Sequence, residues 1–117
     1  MPPAVSVRLD IIKKRSDFLA AARARRWVTK GFVLQARRRD DDALIRVGFT
    51  CSKKVGNAVA RNRAKRRLRE VARRVLRDHG RPGWDYVLIG RAEVTAARDF
   101  ARMQDDLRWA LHKIHAT

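Results

Sequence analysis

Between Lys53 and Arg69 the chain reads Lys53-Lys54-Val55-Gly56-Asn57-Ala58-Val59-Ala60-Arg61-Asn62-Arg63-Ala64-Lys65-Arg66-Arg67-Leu68-Arg69. The chemistry open to such a stretch is phosphate binding. An arginine guanidinium can meet two phosphate oxygens at once, whereas lysine supplies a point charge. Asn62 can donate and accept, which suits a base edge or a ribose hydroxyl. Gly56 permits close approach of a backbone or ligand. Nothing local favours DNA over RNA, and nothing defines a base preference.

Other chemistry finds little support. His79 stands alone, and His112 and His115 are two ligands where a zinc site needs three or four. The run Asp40-Asp41-Asp42 reads as a solvated loop rather than a Mg²⁺ site, and Asp105-Asp106 as helix surface. Walker, dinucleotide, HExxH and nucleophile-elbow motifs are missing from the sequence. A protein nuclease normally assembles carboxylates around a metal, and the acids here show no such grouping. Cys51 is the only cysteine, so no internal disulfide forms, and it reads as a small core side chain. The expectation is a binding protein with no catalytic or metal-ligating residue and no cofactor of its own.

The charge is concentrated. The 117 residues carry a net +17. Residues 53–77 hold 11 basic residues against the single acid Glu70, while residues 78–117 hold 6 of each. A field gathered in this way calls for a polyanion. No run of apolar residues is long enough to span a membrane, and basic residues interrupt the first fifteen positions where a signal peptide would be apolar. The expected setting is a reducing cytoplasm, with one domain over residues 1–117.

The elements that must position these residues follow from periodicity. A helix is expected from about Asp17 to Arg25, capped by Ser16. Trp27-Val28 begins a short strand and Lys30-Gly31 forms a turn. Phe32–Arg38 and Leu44–Ser52 alternate as strands, and together they suggest an antiparallel hairpin. Ala58 to Arg77 is the longest helix, with Asn57 as its cap and an apolar stripe of Ala60, Ala64, Leu68, Val71, Ala72, Val75 and Leu76. Arg61 and Lys65 fall near that stripe, so the first two turns either overhang the core or line a cleft beside it. The run Tyr86-Val87-Leu88-Ile89 suits an interior strand. Asp99 caps a last helix whose apolar positions are Phe100, Met103, Leu107, Ala110, Leu111 and Ile114. The class is α/β with three or four strands and three main helices; a generic crossover between parallel strands would be right-handed.

The segment from Arg46 to Glu70, with KKxGNAVxRNRxKR directly after an apolar strand, resembles the signature region of the bacterial ribonuclease P protein family. The resemblance extends to Ile12–Phe18, Phe32-Val33-Leu34 and Asp85–Ile89, in the expected order. It implies an α/β sandwich of the ribosomal-protein-S5-domain-2-like kind, with a mixed four-stranded sheet and a left-handed βαβ crossover. It also implies a partnership with a catalytic RNA that removes the 5′ leader of precursor tRNA using its own Mg²⁺ ions. On this resemblance Lys53, Lys54, Asn57, Arg61, Asn62, Arg63, Lys65, Arg66 and Arg69 face the RNA. Lys13, Lys14, Phe18, Arg23, Arg25, Arg26 and Phe32 are leader-binding candidates. Ala22 and Gln35 stand where many relatives place aromatics, and Arg23, Arg25 and Arg26 are expected to compensate electrostatically. The free protein is expected to be a monomer. The alternative is a non-catalytic ribosomal or other structured-RNA-binding protein.

Overall fold

The apolar run Tyr86–Ile89 organises the sheet. In the computed structural model, which describes residues 9–39 and 44–116, it lies in strand Trp84–Gly90 (β5), the middle of five strands. The others are Leu9–Ile11 (β1), Arg25–Val28 (β2), Phe32–Arg38 (β3) and Ile45–Thr50 (β4), and the order across the sheet is β1-β4-β5-β3-β2. β4 is parallel to β1 and β5, whereas β3 is antiparallel to β5 and β2. The sheet is mixed, as expected, but has five strands instead of four. The added strand, β1, has three residues at an edge, too few to show an alternation in sequence.

A second expectation is also corrected. β3 and β4 do not form a hairpin, because β5 runs between them and pairs with both. A strand with so little polar alternation is most stable with neighbours on both edges and cover on both faces. The hairpin that does form joins β2 to β3 through Thr29-Lys30-Gly31. There the Thr29 hydroxyl donates to the Phe32 carbonyl and accepts the Phe32 amide. The Asp40-Asp41-Asp42 run lies outside the described residues.

Among the described residues there are four α-helices: Arg15–Ala22 (α1), Ala58–His79 (α2), the single turn Val94–Ala97 (α3) and Phe100–His115 (α4). The Asn57 side chain accepts the Ala60 amide at 2.9 Å, and Asp99 accepts the Arg102 amide at 3.1 Å, so both expected caps form. α2 buries Ala64, Leu68, Val71, Ala72, Val75 and Leu76, and α4 buries Met103, Leu107, Ala110, Leu111 and Ile114. Both helices lie on one face of the sheet, over Phe32, Leu34, Ile45, Tyr86 and Leu88. Each large aliphatic side chain buried in such a seam contributes roughly 1.5–3 kcal/mol. That burial holds α2 in place despite the repulsion along its outer surface.

α1 departs from expectation. It starts earlier and ends three residues sooner, its N-cap is Lys14 with no side-chain bond, and Ser16 sits inside the first turn. The early end follows from β2: Arg25–Val28 extends to pair with Val33–Ala36 and leaves the helix no further residues. α1 alone lies on the second face, packing Phe18 and Ala21 against Ile12, Val87 and Ile89. A Cβ at Gly48 would stand 2.5 Å from the Phe18 ring, so only glycine lets that ring rest on β4. One face of the sheet is therefore a dry core under two helices, and the other is half covered and borders a cleft.

Candidate nucleic-acid interface

The first basic surface belongs to α2 and the turn before it. Lys53, Lys54, Asn57, Asn62, Arg63, Arg66 and Arg69 are exposed, while Arg61 and Lys65 are half-buried. Among the described residues none of these six arginines and lysines nearest the helix start (Lys53, Lys54, Arg61, Arg63, Lys65, Arg66) has a carboxylate partner. Arg69 lies over the Phe49 ring at 5.9 Å. Further along, pairing begins: Arg73 and Arg74 both bind Glu70, at 2.7 and 3.1 Å. Arg67 turns away to donate to the carbonyls of Ala96 and Arg98, tying α2 to the α3–α4 junction. Unneutralised charge thus gathers at the positive end of the helix dipole, where an anion gains from both.

Arg61 and Lys65, near the apolar stripe, are half-buried where the first turns of α2 pass the end of β4. Both lie close enough to Cys51, at the end of β4, for their charges to pull its thiol pKa down. Burial is the stronger influence and pushes that thiol up, which suits a packed rather than a reactive cysteine.

The second basic surface is on the α1 face. Register places Asp10, Arg46, Asp85 and Arg37 side by side across β1, β4, β5 and β3. Asp85 is fully buried and accepts from Arg46 Nε and Nη2, each at 2.7 Å, and from Arg39 Nη1 at 2.6 Å. The two Asp85 hydrogen bonds, above all, raise the Arg46 pKa beyond its ordinary value, so this guanidinium stays charged. Asp17, from α1, reaches Arg37 at 3.2 Å and Arg46 at 3.4 Å. Beside them opens a cleft of about 400 Å³ lined also by Lys13 and Lys14. Phe18 is half-buried, wedged between α1 and β4.

The leader-binding candidates therefore divide. Lys13, Lys14 and Phe18 border this half-open face. Arg26, opposite Gln35, points to the same side, and Arg23 is exposed just beyond α1. Two candidates are corrected. Phe32 is fully buried beneath α2 and α4, because the alternation of β3 turns Phe32, Leu34 and Ala36 to the dry face. Arg25 points to that same side, donating to the Ile114 carbonyl at 2.7 Å and lying 5.4 Å over the Trp84 ring. It stabilises the end of α4 and is not placed to compensate for Ala22 or Gln35. Arg37, Arg39, Arg46 and their acids were missed. A period-two reading puts Arg37 and Arg46 opposite the core, but only the insertion of β5 sets Asp85 between them.

Among the described residues no three His, Cys, Asp or Glu side chains converge as a metal site, and no helix is long and apolar enough to cross a membrane. Both surfaces present guanidinium and ammonium groups, whose chemistry suits phosphate.

Comparison with known proteins decides between the readings left open. The family model for ribonuclease P matches residues 8–115. The chain belongs to the bacterial ribonuclease P protein family. It is 66% identical to the ribonuclease P protein component of Ruegeria pomeroyi over 99% of this chain and 98% of that protein. With the Caulobacter vibrioides component it shares 49% identity over 95% and 74% of the two chains. The RNase P protein structure from Staphylococcus aureus superposes with a TM-score of 0.71 at 29% identity, covering 88% of this chain and 93% of that one. The Thermotoga maritima protein gives 0.65 at 27%, covering 88% and 92%. The chain is thus the protein subunit of a ribonucleoprotein enzyme, assisting its RNA subunit in removing the 5′ leader of precursor tRNA.

Proposed function

We propose that the two basic surfaces divide this work. The α2 surface, from Lys53 to Arg69, docks on the catalytic RNA, and the cleft beside α1 takes the 5′ leader. The carrying observation is the row of basic side chains without carboxylate partners at the start of α2. Such charges are costly to leave facing one another and gain from a phosphate backbone. The leader runs along Lys13, Lys14 and Phe18 toward Gln35 and Arg26, a track with one aromatic and several cations. Grip there is more electrostatic than stacking, since a base–aromatic stack needs a ring that Ala22 and Gln35 do not supply.

On this reading the protein screens repulsion between RNA and substrate, and the RNA holds the Mg²⁺ ions that activate the attacking water. Elevated Mg²⁺ substitutes for part of the screening. We further assign a cytoplasmic monomer, and the family's left-handed sense to the β4–α2–β5 crossover.

The test is reconstitution with bacterial ribonuclease P RNA at low Mg²⁺. Cleavage at the mature 5′ end should require the protein. Replacing Arg61, Arg63 and Lys65 together by Ala should weaken RNA affinity and lower the slope of log affinity against log salt by about three, with circular dichroism and melting unchanged. An unaltered slope in the folded variant rejects the α2 docking surface.

A further inference from the structure

We propose that Asp17 is a built-in competitor for the leader phosphate, occupying in the free protein the place that a phosphodiester takes in the complex. This deepens the leader-cleft assignment above and rests on it. Asp10 also lines the cleft, but the two carboxylates that bind its arginines, Asp85 and Asp17, are held very differently. Asp85 is completely buried, takes three hydrogen bonds at 2.6–2.7 Å, and serves as the fixed counter-ion of Arg39 and Arg46. Asp17 remains partly open to solvent and reaches its partners at 3.2 and 3.4 Å, one oxygen to Arg37 and the other to Arg46. Two guanidiniums thus bracket two oxygens of one anion, an arrangement a phosphodiester can satisfy equally well.

The surroundings favour exchange. Arg37 and Arg46 are both partly exposed. Arg46 is held by two bonds to Asp85 that do not involve Asp17, so an anion taking the place of Asp17 meets a guanidinium already anchored. Lys13 and Lys14 line the same 400 Å³ opening and add positive charge at its rim. Asp17 precedes Phe18, the wedge that fixes α1 on Gly48, so the competing carboxylate sits where the leader must pass. A leader phosphate must then displace a carboxylate from Arg37 and Arg46. That lowers affinity for any leader and favours release after cleavage.

The experiment uses the assembled holoenzyme and compares dissociation constants for precursor tRNA, mature tRNA and, for the protein alone, the catalytic RNA. Asp17→Asn keeps the shape and removes the charge. It should tighten precursor binding roughly three- to tenfold and leave mature tRNA and catalytic RNA affinities unchanged. Adding Arg37→Gln should abolish the gain. Arg37→Gln alone provides a check independent of how Asp17→Asn folds: it should weaken precursor binding and leave mature tRNA binding unchanged. Unchanged or weaker precursor affinity in folded Asp17→Asn overturns the proposal and leaves Asp17 a structural tie. Equal tightening of mature tRNA or catalytic RNA also overturns it, as a general charge effect, and so does unchanged precursor affinity in Arg37→Gln. If the wild-type holoenzyme binds precursor and mature tRNA equally, the leader-cleft assignment fails and this proposal with it. If wild type discriminates and Asp17→Asn does not tighten, only the proposal fails.

Discussion

Arginines are used in two opposite ways on the two sides of this sheet. On the α1 face, Arg39 and Arg46 converge on the buried Asp85, and Arg37 lies 3.8 Å from the same carboxylate. Their positions are dictated by strand register, so charge there is ordered before any ligand arrives. On the outer surface of α2, Arg63 and Arg66 have no acid among the described residues to hold them. Their backbone is fixed by an apolar seam on the far side of the helix, and their side chains are left to adapt. Ordered charge suits a cleft that must select one strand, and adaptable charge suits a broad docking surface.

The largest test of that difference is thermodynamic. Asp85→Asn removes the buried carboxylate charge that Arg39 and Arg46 share. Loss of one partner of a buried pair costs about 3–5 kcal/mol, a large part of the 5–15 kcal/mol or so typical of a domain. Urea denaturation should show the midpoint falling accordingly. Glu70→Gln, which releases the exposed Arg73 and Arg74, should leave the midpoint where it is. Comparable losses in the two variants would mean that the two sets of arginines are not held differently at all.

A smaller effect sharpens the comparison at the hinge between α1 and the sheet. Gly48→Ala puts a methyl group 2.5 Å from the Phe18 ring and must push α1 outward. Overpacking of this kind costs about 1–3 kcal/mol. The cleft should lose leader-dependent affinity, whereas binding of the catalytic RNA through α2 should not change. Parallel loss at both surfaces would show that they are coupled through the sheet.

The helix side of the molecule was far more legible in sequence than the cleft. The stripe of α2, both Asn57 and Asp99 caps and the core positions of α4 all follow from local spacing, because a helix buries residues only three or four apart. The cleft depends on residues from β1, α1, β3, β4 and β5 that meet only when β5 inserts between β3 and β4. No local pattern encodes that insertion, which is why a β3–β4 hairpin was the natural reading. Phe32 illustrates the same limit: alternation paired it correctly with Leu34 and Ala36, but which face those residues take is decided by where α2 and α4 dock. Arg25 and Arg26, neighbours in a basic run, end on opposite faces for the same reason.

The smallest effect concerns the other side of β5, where Tyr86 and Trp84 flank Asp85 in sequence and point away from it. Here polar groups are matched without charge. The Tyr86 hydroxyl accepts the Arg81 amide at 2.8 Å and meets His115 Nε2 at 2.7 Å. The hydroxyl keeps one proton and one lone pair for Nε2, so it pairs with either tautomer of the neutral imidazole. Burial, reinforced by the charges of Arg81 and Arg25, lowers the His115 pKa to about 4. Nδ1 is itself buried with no hydrogen-bond partner, so a cationic ring would be poorly solvated. The unfolded chain therefore takes up a proton near pH 6.5 and the folded protein only near 4. Stability from this site is complete above pH 6.5, declines between 6.5 and 4, and is constant below. The ring is only half-buried, so solvent screening reduces the loss to about 1–2 kcal/mol. Thermal melts from pH 7.5 to 4 should show a steeper decline for wild type than for His115→Gln, which cannot titrate. Identical slopes would place a charged imidazole beside Tyr86, and the neutral character of this face of β5 would be wrong.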